Sequence, residues 1–545
     1  MISFKYSAIC VFLFCLFSAA ATAFAQPSIQ WQKCLGGTNE DYANSIRSTK
    51  DGGSIVVGGA SSNNGDVTSS NGSSDFWVVK LNAAGSIQWQ KALGGTGSEM
   101  ANSVEQTSDD GYIIAGYTFS NNLTVSGNSG FQDFWLVKLD VNGNLQWQKS
   151  LGGSSMDYAY SVIQTADGGY LAGGNTSSTN GAVTGNHGGD DGWIVKLDAG
   201  GAIMWQKCYG GSGLDEIRSV YQSVEGGYIM TGYTTSVDGD VSGNHGASDL
   251  WVIKIGAQGN IEWQKAFGGN SFDAGYKILP TSDGGYMISG NTRSNDGDAS
   301  GNHGDLDAWL VKIDATGMLQ WQKCYGGSGA DWAISFFQTP DNNYIVGAQT
   351  LSYNGDAVGN HGGLDKLILK ISNAGALQWK KCFGGSQWDY LDEIVPTPDG
   401  SFISTGSARS NDGDVEGLHG SGYDLWVVKY GPDLRCLPSV RIAASRNNIC
   451  RSTPVIFSAT VNNGGTSARY QWKRNNISEG SNSATFTPAI LRHNDQITCA
   501  YTSTTSCGRD TVVTSDTIIM TVIDDVTPEV NIAANTTAIC KGTEV

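Results

Sequence analysis

The sequence predicts an all-β protein, a closed seven-bladed β-propeller followed by immunoglobulin-like β-sandwich modules. Each repeat contains four short runs with strand character, and the repeats stop near residue 432. The tripeptide Trp-Gln-Lys marks the period, because a fixed interval of this size is typical of repeat architectures. Its tryptophans are spaced 58 residues apart, and the last copy reads Trp-Lys-Lys: Trp31, Trp89, Trp147, Trp205, Trp263, Trp321 and Trp379.

The first repeat gives the four strands in order. Residues 43–49 (ANSIRST) form a run with small side chains, and an Asp-Gly-Gly turn follows them. Residues 54–58 (SIVVG) are continuously apolar, as expected of a strand covered on both faces. Residues 75–81 (DFWVVKL) form a third strand, and residues 87–91 (IQWQK) alternate like an outer strand with one wet face. Four strands graded from buried to exposed describe one propeller blade.

Large aromatic residues recur on the predicted third strand. Packing between blades needs large side chains at fixed positions. The sixth unit has Leu367 there, so the position accepts a smaller apolar residue. The aromatic copies are Trp77, Trp135, Trp193, Trp251, Trp309 and Trp426.

The two ends of the repeat region predict a closed ring. The region begins with a lone outer strand, residues 28–33, and ends with a third strand, residues 424–430, that no outer strand follows. The first fragment therefore completes the last blade, whereas an open solenoid needs polar capping repeats. We assign residues 26–432 to the propeller.

The repeat pattern DxWVVKLDxxGxIxWQKxxGGxxxDxAxSIxxTxDGGYIxxG resembles a repeat of secreted bacterial β-propellers found in large surface proteins of Bacteroidetes-type bacteria. The resemblance covers about three quarters of the chain. It implies export and a propeller fold, but it does not select a function, because propellers host many activities.

Residues 437–526 predict a different β unit. Cys450, Trp472 and Cys499 resemble the Cys…Trp…Cys layout of immunoglobulin-like sandwiches, here of the bacterial modules that decorate exported proteins. We expect a disulfide between Cys450 and Cys499, with Cys507 as the alternative partner of Cys450. The segment 438–455 returns in similar form at 528–545, so residues 527–545 read as the truncated start of a second module.

Targeting signals and charge predict a secreted or cell-surface protein. Residues 1–25 combine Lys5, an apolar run over 8–20 and an Ala-Phe-Ala cleavage site, as in a signal peptide. No later segment is long and apolar enough to cross a membrane. The net charge of −18 argues against nucleic acid and anionic membranes as partners.

Two long loops contain a possible calcium motif, D-x-D-x-S-G-N-x4-D. Calcium prefers oxygen ligands at alternating loop positions, with a glycine that permits a sharp turn. The alternative is plain turn chemistry, because other blades lack the early carboxylates. Five histidines at the same spacing are expected to hydrogen-bond within their own loops. The candidate ligands are Asp238, Asp240, Ser242 and Asp249 in one loop, and Asp296, Asp298, Ser300 and Asp307 in the next.

Aromatic residues in the loops that enter the inner strands supply the candidate ligand site. Trp332, Trp388, Tyr390 and Tyr42 belong to blades 6, 7 and 1, which are neighbours in a closed ring. Exposed aromatics beside Asp and Asn suit sugar rings, although the same side chains also suit packing between loops. The near-identical loops contain no catalytic constellation. The sequence therefore predicts a non-enzymatic adhesion protein that binds a glycan or protein; the alternatives are a polysaccharide lyase or glycosidase, and a structural surface component.

Overall fold

The computed structural model describes residues 27–339, 342–431, 439–462, 466–504 and 510–523. Within these ranges all regular secondary structure is β-strand, apart from a 3-10 helix at Gly355–Ala357. None of their helices has the length and apolar character needed to cross a membrane. The predicted signal peptide, residues 1–25, and the predicted second module, residues 527–545, lie outside the described residues.

Residues 28–431 form seven antiparallel sheets, and six of them have four strands in sequence order. Sheet 1 consists of β2 (Asp41–Ser48), β3 (Ser54–Ala60), β4 (Asp75–Leu81) and β5 (Ile87–Leu93). The next five sheets are sheet 2, β6 (Glu99–Gln106), β7 (Tyr112–Thr118), β8 (Asp133–Leu139) and β9 (Leu145–Leu151); sheet 3, β10 (Asp157–Gln164), β11 (Tyr170–Thr176), β12 (Asp191–Leu197) and β13 (Ile203–Tyr209); sheet 4, β14 (Asp215–Gln222), β15 (Tyr228–Thr234), β16 (Asp249–Ile255) and β17 (Ile261–Phe267); sheet 5, β18 (Asp273–Pro280), β19 (Tyr286–Thr292), β20 (Asp307–Ile313) and β21 (Leu319–Tyr325); and sheet 6, β22 (Asp331–Gln338), β23 (Tyr344–Thr350), β24 (Asp365–Ile371) and β25 (Leu377–Phe383).

Sheet 7 is assembled from both ends of the repeat region. Its strands are β26 (Glu393–Pro396), β27 (Phe402–Thr405), β28 (Ser407–Ala408), β29 (Asp424–Gly431) and, from the N-terminal end, β1 (Ser28–Leu35). β1 pairs antiparallel with β29, and Cys34 lies opposite Trp426. The N-terminal strand thus supplies the outer strand of the last sheet. Repeated four-stranded sheets in an all-β chain are consistent with a β-propeller.

The glutamine of Trp-Gln-Lys connects the third strand to the long loop that precedes it. In sheet 4, Trp251 Nε1 donates to Gln264 Oε1 at 2.9 Å, and Gln264 Nε2 donates to Ser242 Oγ at 2.6 Å. In sheet 6, Leu367 replaces the tryptophan and Lys380 replaces the glutamine, and Lys380 Nζ donates to Gly355 O at 2.5 Å. In sheet 6, both residues that form this hydrogen bond in sheet 4 are therefore replaced.

The tryptophan of the same motif packs between sheets. Trp31 of sheet 7 lies against Gly85, in the turn between the third and fourth strands of sheet 1. Gly85 has a φ of 78°, and a Cβ there would lie 2.8 Å from the Trp31 ring. Glycine fits this position because it adopts a positive φ without strain and has no Cβ that would collide with the ring. The same contact joins Trp89 to Gly143, Trp147 to Gly201, Trp205 to Gly259, Trp263 to Gly317 and Trp321 to Gly375.

Removal of a third-strand tryptophan is expected to be strongly destabilising. Trp251 is fully buried, so Trp251→Ala should lower the free energy of unfolding by about 3–5 kcal/mol. Trp251→Leu should cost clearly less, because Leu367 occupies the same position in sheet 6. Chemical denaturation of the full chain measures both, with the exposed Phe131→Ala as the control. Equal losses for the alanine and leucine variants would contradict this account.

Residues 439–523 form a second β unit with its own core. Its buried side chains include Phe457 and Phe486 from one sheet and Trp472, Cys499 and Tyr501 from another, so these two sheets share one core. The immunoglobulin-like assignment stays a prediction. The sheets are β30 (Ser439–Ala444), β32 (Phe457–Asn462) and β35 (Thr485–Phe486); β34 (Ile477–Glu479), β33 (Thr466–Arg474), β36 (Gln496–Thr504) and β37 (Asp510–Thr514), with β38 (Ile518–Ile519) on β36; and β31 (Asn448–Cys450) with β39 (Thr521–Ile523).

The predicted disulfide between Cys450 and Cys499 is wrong. Cys499 is a free, buried thiol on β36, directly opposite Trp472 on β33 in the core. Cys450 is disulfide-bonded, but it ends β31, which pairs with β39. The two cysteines therefore belong to different sheets of the unit. The alternative partner, Cys507, lies outside the described residues.

Candidate functional site

One cavity is lined by the first strands of all seven sheets. Its volume is about 500 Å³, and we call it the central cavity. Arg47, Trp332 and Gln349 also line it. Each sheet contributes two consecutive residues at equivalent positions: Asn44-Ser45, Asn102-Ser103, Tyr160-Ser161, Arg218-Ser219, Tyr276-Lys277, Ile334-Ser335 and Asp392-Glu393.

Serines at the second of these positions connect neighbouring sheets. The Oγ of Ser45 accepts a hydrogen bond from the backbone N–H of Val104 on the next sheet, at 3.3 Å. Between sheet 7 and sheet 1, Glu393 takes this role, because its Oε2 accepts from Ile46 N at 3.1 Å. A small hydroxyl side chain thus connects neighbouring sheets at five of the seven steps. The other serine steps are Val162 to Ser103, Val220 to Ser161, Ile278 to Ser219 and Ile394 to Ser335.

A charged cluster replaces serine at two of the seven positions. Glu393 contacts Arg47 through Oε2 at 2.5 Å and Lys277 through Oε1 at 2.8 Å, and Ser45 Oγ donates to Oε2 at 2.7 Å. Burial by itself raises the pKa of Glu393, but Arg47 and Lys277 outweigh it and hold the pKa at about 2. Glu393 is therefore a carboxylate at neutral pH, bound by two cations.

A second symmetry-breaking pair lies beside this cluster. Asp392 lines the cavity, and burial raises its pKa well above the usual value, a shift that the nearby Lys366 only partly offsets. Lys366 is fully buried against the Trp426 ring, and burial lowers its pKa. The other sheets hold apolar residues or glycine at the Lys366 position, so this pair is unique to sheets 6 and 7 among the described residues.

Arg218 brings a further cation to the cavity. Its Nε lies 2.7 Å from Glu216 Oε2, and its guanidinium lies over the Tyr160 ring, 4.1 Å from the centroid. Tyr233 OH donates to Glu216 Oε1 at 2.8 Å. Arg218 is thus held by a charge contact with Glu216 and by the face of the Tyr160 ring.

The structure brings three of the four predicted aromatic site residues together. Tyr42, Tyr390 and Trp388 form a cluster through Tyr423: the ring centroids are 5.6 Å apart for Tyr42–Tyr423, 5.7 Å for Tyr423–Tyr390 and 6.0 Å for Tyr390–Trp388. We call these four residues the aromatic cluster. Trp388 is 42% exposed. Trp332, the fourth predicted residue, lines the central cavity instead.

Sequence reasoning missed both Tyr423 and the charged residues of the cavity. A signal was present in each case. Tyr423 directly precedes the third strand of the last repeat, at the end of its long loop. Aligning the seven copies at the cavity position gives Ser, Ser, Ser, Ser, Lys, Ser and Glu, and the two exceptions mark the charged cluster.

The predicted calcium ligands form hydrogen bonds within the protein. In the first loop, Asp238 Oδ1 accepts from Ser212 N, Ser242 Oγ accepts from Gln264, and Asp249 Oδ2 accepts from His245. The second loop repeats these bonds at Asp296, Ser300 and Asp307. In the part of the chain that the structure describes, no group of three or more His, Cys, Asp or Glu side chains is arranged to hold a metal ion. The calcium sites stay a prediction.

The five repeated histidines contact the carboxylate that begins the next third strand. In each case Nδ1 lies 2.5–2.8 Å from an Oδ2, so the imidazole binds within its own loop. The pairs are His187–Asp191, His245–Asp249, His303–Asp307, His361–Asp365 and His419–Asp424.

Two buried carboxylates meet at each junction between sheets. Asp75 of sheet 1 and Glu99 of sheet 2 are fully buried, and both face Gly94, where a Cβ would collide with either. Asp75 Oδ2 accepts from Asn71 N, whereas its Oδ1 has no hydrogen-bond partner among the described residues. Burial, reinforced by Glu99, raises the pKa of Asp75 to about 6. The equivalent pairs are Asp133–Asp157, Asp191–Asp215, Asp249–Asp273, Asp307–Asp331, Asp365–Asp389 and Asp424–Asp41.

Comparison with known proteins finds only distant similarity and leaves the function open. No protein-family model matches the chain. The regulatory protein FlaEY of Caulobacter vibrioides is 26% identical over 215 residues, a match that covers 36% of this chain and 22% of that protein. The chain thus spans about a fifth of the length of this relative.

Solved structures similar to this chain include WD40 and other propeller-type proteins. Sqt1 from Chaetomium thermophilum has 11% identity and a TM-score of 0.37, and the match covers 73% of this chain and 99% of Sqt1. The Pan2 WD40 domain of Neurospora crassa has 10% identity and a TM-score of 0.39, covering 73% and 95%. A quinonprotein alcohol dehydrogenase-like protein from Bacteroides thetaiotaomicron has 9% identity and a TM-score of 0.35, covering 64% and 67%. At these scores the likeness carries no argument about activity.

Proposed function

We propose that this protein is an exported cell-surface protein that binds a glycan without catalysis. In this proposal the seven sheets form a closed seven-bladed propeller, and the immunoglobulin-like modules act as spacers. The glycan binds at the end of the propeller where the long loops gather. A protein ligand is the other occupant that this surface accepts.

Contacts between sheet 7 and sheet 1 support the closed ring. The Trp31 ring of sheet 7 lies on Gly85 of sheet 1, and Ile46 N of sheet 1 donates to Glu393 of sheet 7. Within sheet 7, β1 from the N-terminal end pairs with β29. The tryptophan–glycine contact repeats between the other neighbouring sheets, and Glu393 accepts the backbone hydrogen bond that serine accepts at five other steps. A closed ring also places the first strands of all sheets around one cavity.

The aromatic cluster is the observation that carries the glycan proposal. Tyr42, Trp332 and Tyr390 occupy the same position in their repeats, so the aromatic cluster and the Trp332 edge of the central cavity lie at the same end of the sheets. Sugars stack their apolar faces on aromatic rings and bond through their hydroxyl groups. Gln349 and Asp392, both in the lining of the cavity, supply polar partners there.

A glycan array followed by titration tests the proposal. The double variant Trp332→Ala, Trp388→Ala should weaken binding of the best glycan at least about tenfold, a loss of about 1.4 kcal/mol. Phe131→Ala is the control, because it removes an exposed aromatic ring from the long loop of sheet 2, outside the aromatic cluster and the central cavity. Unchanged binding in the double variant would remove the aromatic residues from the site, and the absence of any glycan ligand would favour a protein ligand.

One observation favours an enzyme as the second candidate. Asp392 and Glu393 are adjacent in the central cavity, and their pKa values move in opposite directions. Such pairs are typical of acid–base sites. A polysaccharide lyase or glycosidase would release new chain ends from a polysaccharide, and Asp392→Asn would abolish that release. The proposed calcium sites are tested separately, by comparing the melting temperature in calcium with that in EDTA.

A further inference from the structure

We propose that the central cavity binds an acidic sugar, with the carboxylate of a uronic acid unit received by Arg218. This inference rests on the proposed glycan function and names the class of glycan. Its support comes from the charge of the cavity, the geometry of Arg218 and the aromatic residues around it.

The cavity lacks the strong negative charge of the chain as a whole. The whole sequence has 51 acidic and 33 basic residues, a net charge of −18. The cavity lining instead contains three cations, Arg47, Arg218 and Lys277, and two acidic residues, Asp392 and Glu393. Glu216, beside the lining, pairs with Arg218 and balances the charges, so an anion would be received by the Arg218 guanidinium itself and not by a net positive field.

Arg218 is the cation that remains for a ligand. Glu393 already engages Arg47 and Lys277, at 2.5 and 2.8 Å. Arg218 makes its ion pair with Glu216 through Nε, and its two terminal nitrogens form no hydrogen bond or ion pair with any residue that the structure describes. The Tyr160 ring supports the plane of the guanidinium at 4.1 Å. The two terminal nitrogens of a guanidinium match the two oxygens of a carboxylate.

The rest of the cavity suits a sugar better than a small inorganic anion. Tyr160, Tyr276 and Trp332 provide aromatic faces, and Asn44, Asn102 and Gln349 provide amides. The volume of about 500 Å³ is within the range of small-molecule sites and far exceeds that of a sulfate ion. The shared chemistry of all these ligands is an oxyanion, so the experiment must separate the sugar from the anion.

Titration calorimetry with simple probes tests the inference on the full chain. Glucuronate and galacturonate should bind, glucose and galactose should bind at least about tenfold more weakly, and uronate affinity should fall with added salt. Arg218→Gln should reduce uronate affinity at least about tenfold. Arg293→Gln is the control, because Arg293 forms an exposed pair with Asp305 outside the cavity. Sulfate and phosphate are titrated in parallel.

A second variant separates loss of binding from loss of folding. Arg218→Gln leaves Glu216 without its ion-pair partner, so the double variant Glu216→Gln, Arg218→Gln removes both charges; it should melt like the wild type and still fail to bind uronate. Wild-type protein that does not bind uronates, or an Arg218→Gln variant that binds them normally, would overturn the inference. Sulfate binding as tight as uronate binding would reduce the site to an anion site and overturn the assignment to a sugar. Glycan binding that depends on Trp388 while uronates fail to bind would leave the proposed function standing without this inference.

Discussion

Glu393→Gln is expected to lower the free energy of unfolding by about 3–5 kcal/mol, because it leaves two partly buried cations without their shared carboxylate. Arg47 and Lys277 both contact Glu393, whose side chain is only 9% exposed. The same carboxylate accepts from Ser45 Oγ and Ile46 N, so it also connects sheet 7 to sheet 1. Chemical denaturation of the full chain measures the loss.

A repair variant tests whether the loss comes from unpaired charge. The double variant Lys277→Ser, Glu393→Ser restores the serine that the other five sheets have at this position. It should recover part of the stability that Glu393→Gln loses, since only Arg47 then lacks a partner. Glu416→Gln, at an exposed position, is the control. A Glu393→Gln variant as stable as the control would show that the cluster contributes nothing to the fold.

The sequence was sufficient to predict the repeated sheets because their signals are local. Apolar runs, Asp-Gly-Gly turns and the alternating Ile87–Lys91 segment each depend on neighbouring residues, and the strands lie where these patterns place them. The pairing of β1 with β29 followed from counting strands. The disulfide prediction failed because the choice among Cys450, Cys499 and Cys507 depends on which sheet each strand joins, which spacing does not specify.

The candidate site was less predictable because it depends on contacts between distant repeats. Lys277 and Glu393 are 116 residues apart, and no local pattern pairs them. Tyr42 and Tyr390 were predicted to be neighbours from the ring closure alone, and they meet through Tyr423. Trp332 occupies the same repeat position as Tyr42, yet its side chain lines the cavity. Equivalent repeat positions thus lie at the same place on their strands but contact different residues.

Stability is expected to fall as the pH rises from about 4 to about 7, because buried carboxylates lose their protons at the sheet junctions. Burial and the partner carboxylate raise the pKa of Asp75 and of Asp133 to about 6. A raised folded-state pKa contributes stability below the unfolded value, and that stability is lost as the pH rises through the folded value. The raised pKa of His245 acts in the same direction. A thermal melt at each pH measures the trend.

Two variants in sheet 1 are expected to change the stability at pH 7 in opposite directions. Asp75→Asn should stabilise the protein at pH 7, by about 1–3 kcal/mol, because the amide keeps the bond from Asn71 and removes the charge that faces Glu99. Asp51→Asn should destabilise it by about 1 kcal/mol, because Asp51 pairs with the buried Lys80 at 2.9 Å and has a pKa lowered to about 2. The stability that Asp51 contributes is present above its pKa in the unfolded chain and is lost as the pH falls towards 2. Asp51 and Asp75 together therefore place the maximum of stability near pH 4 to 5. If Asp75→Asn instead destabilised the protein at pH 7, the junction carboxylates would have to be charged and bound to a cation. The melting temperature in calcium, compared with that in EDTA, would then show whether that cation is calcium.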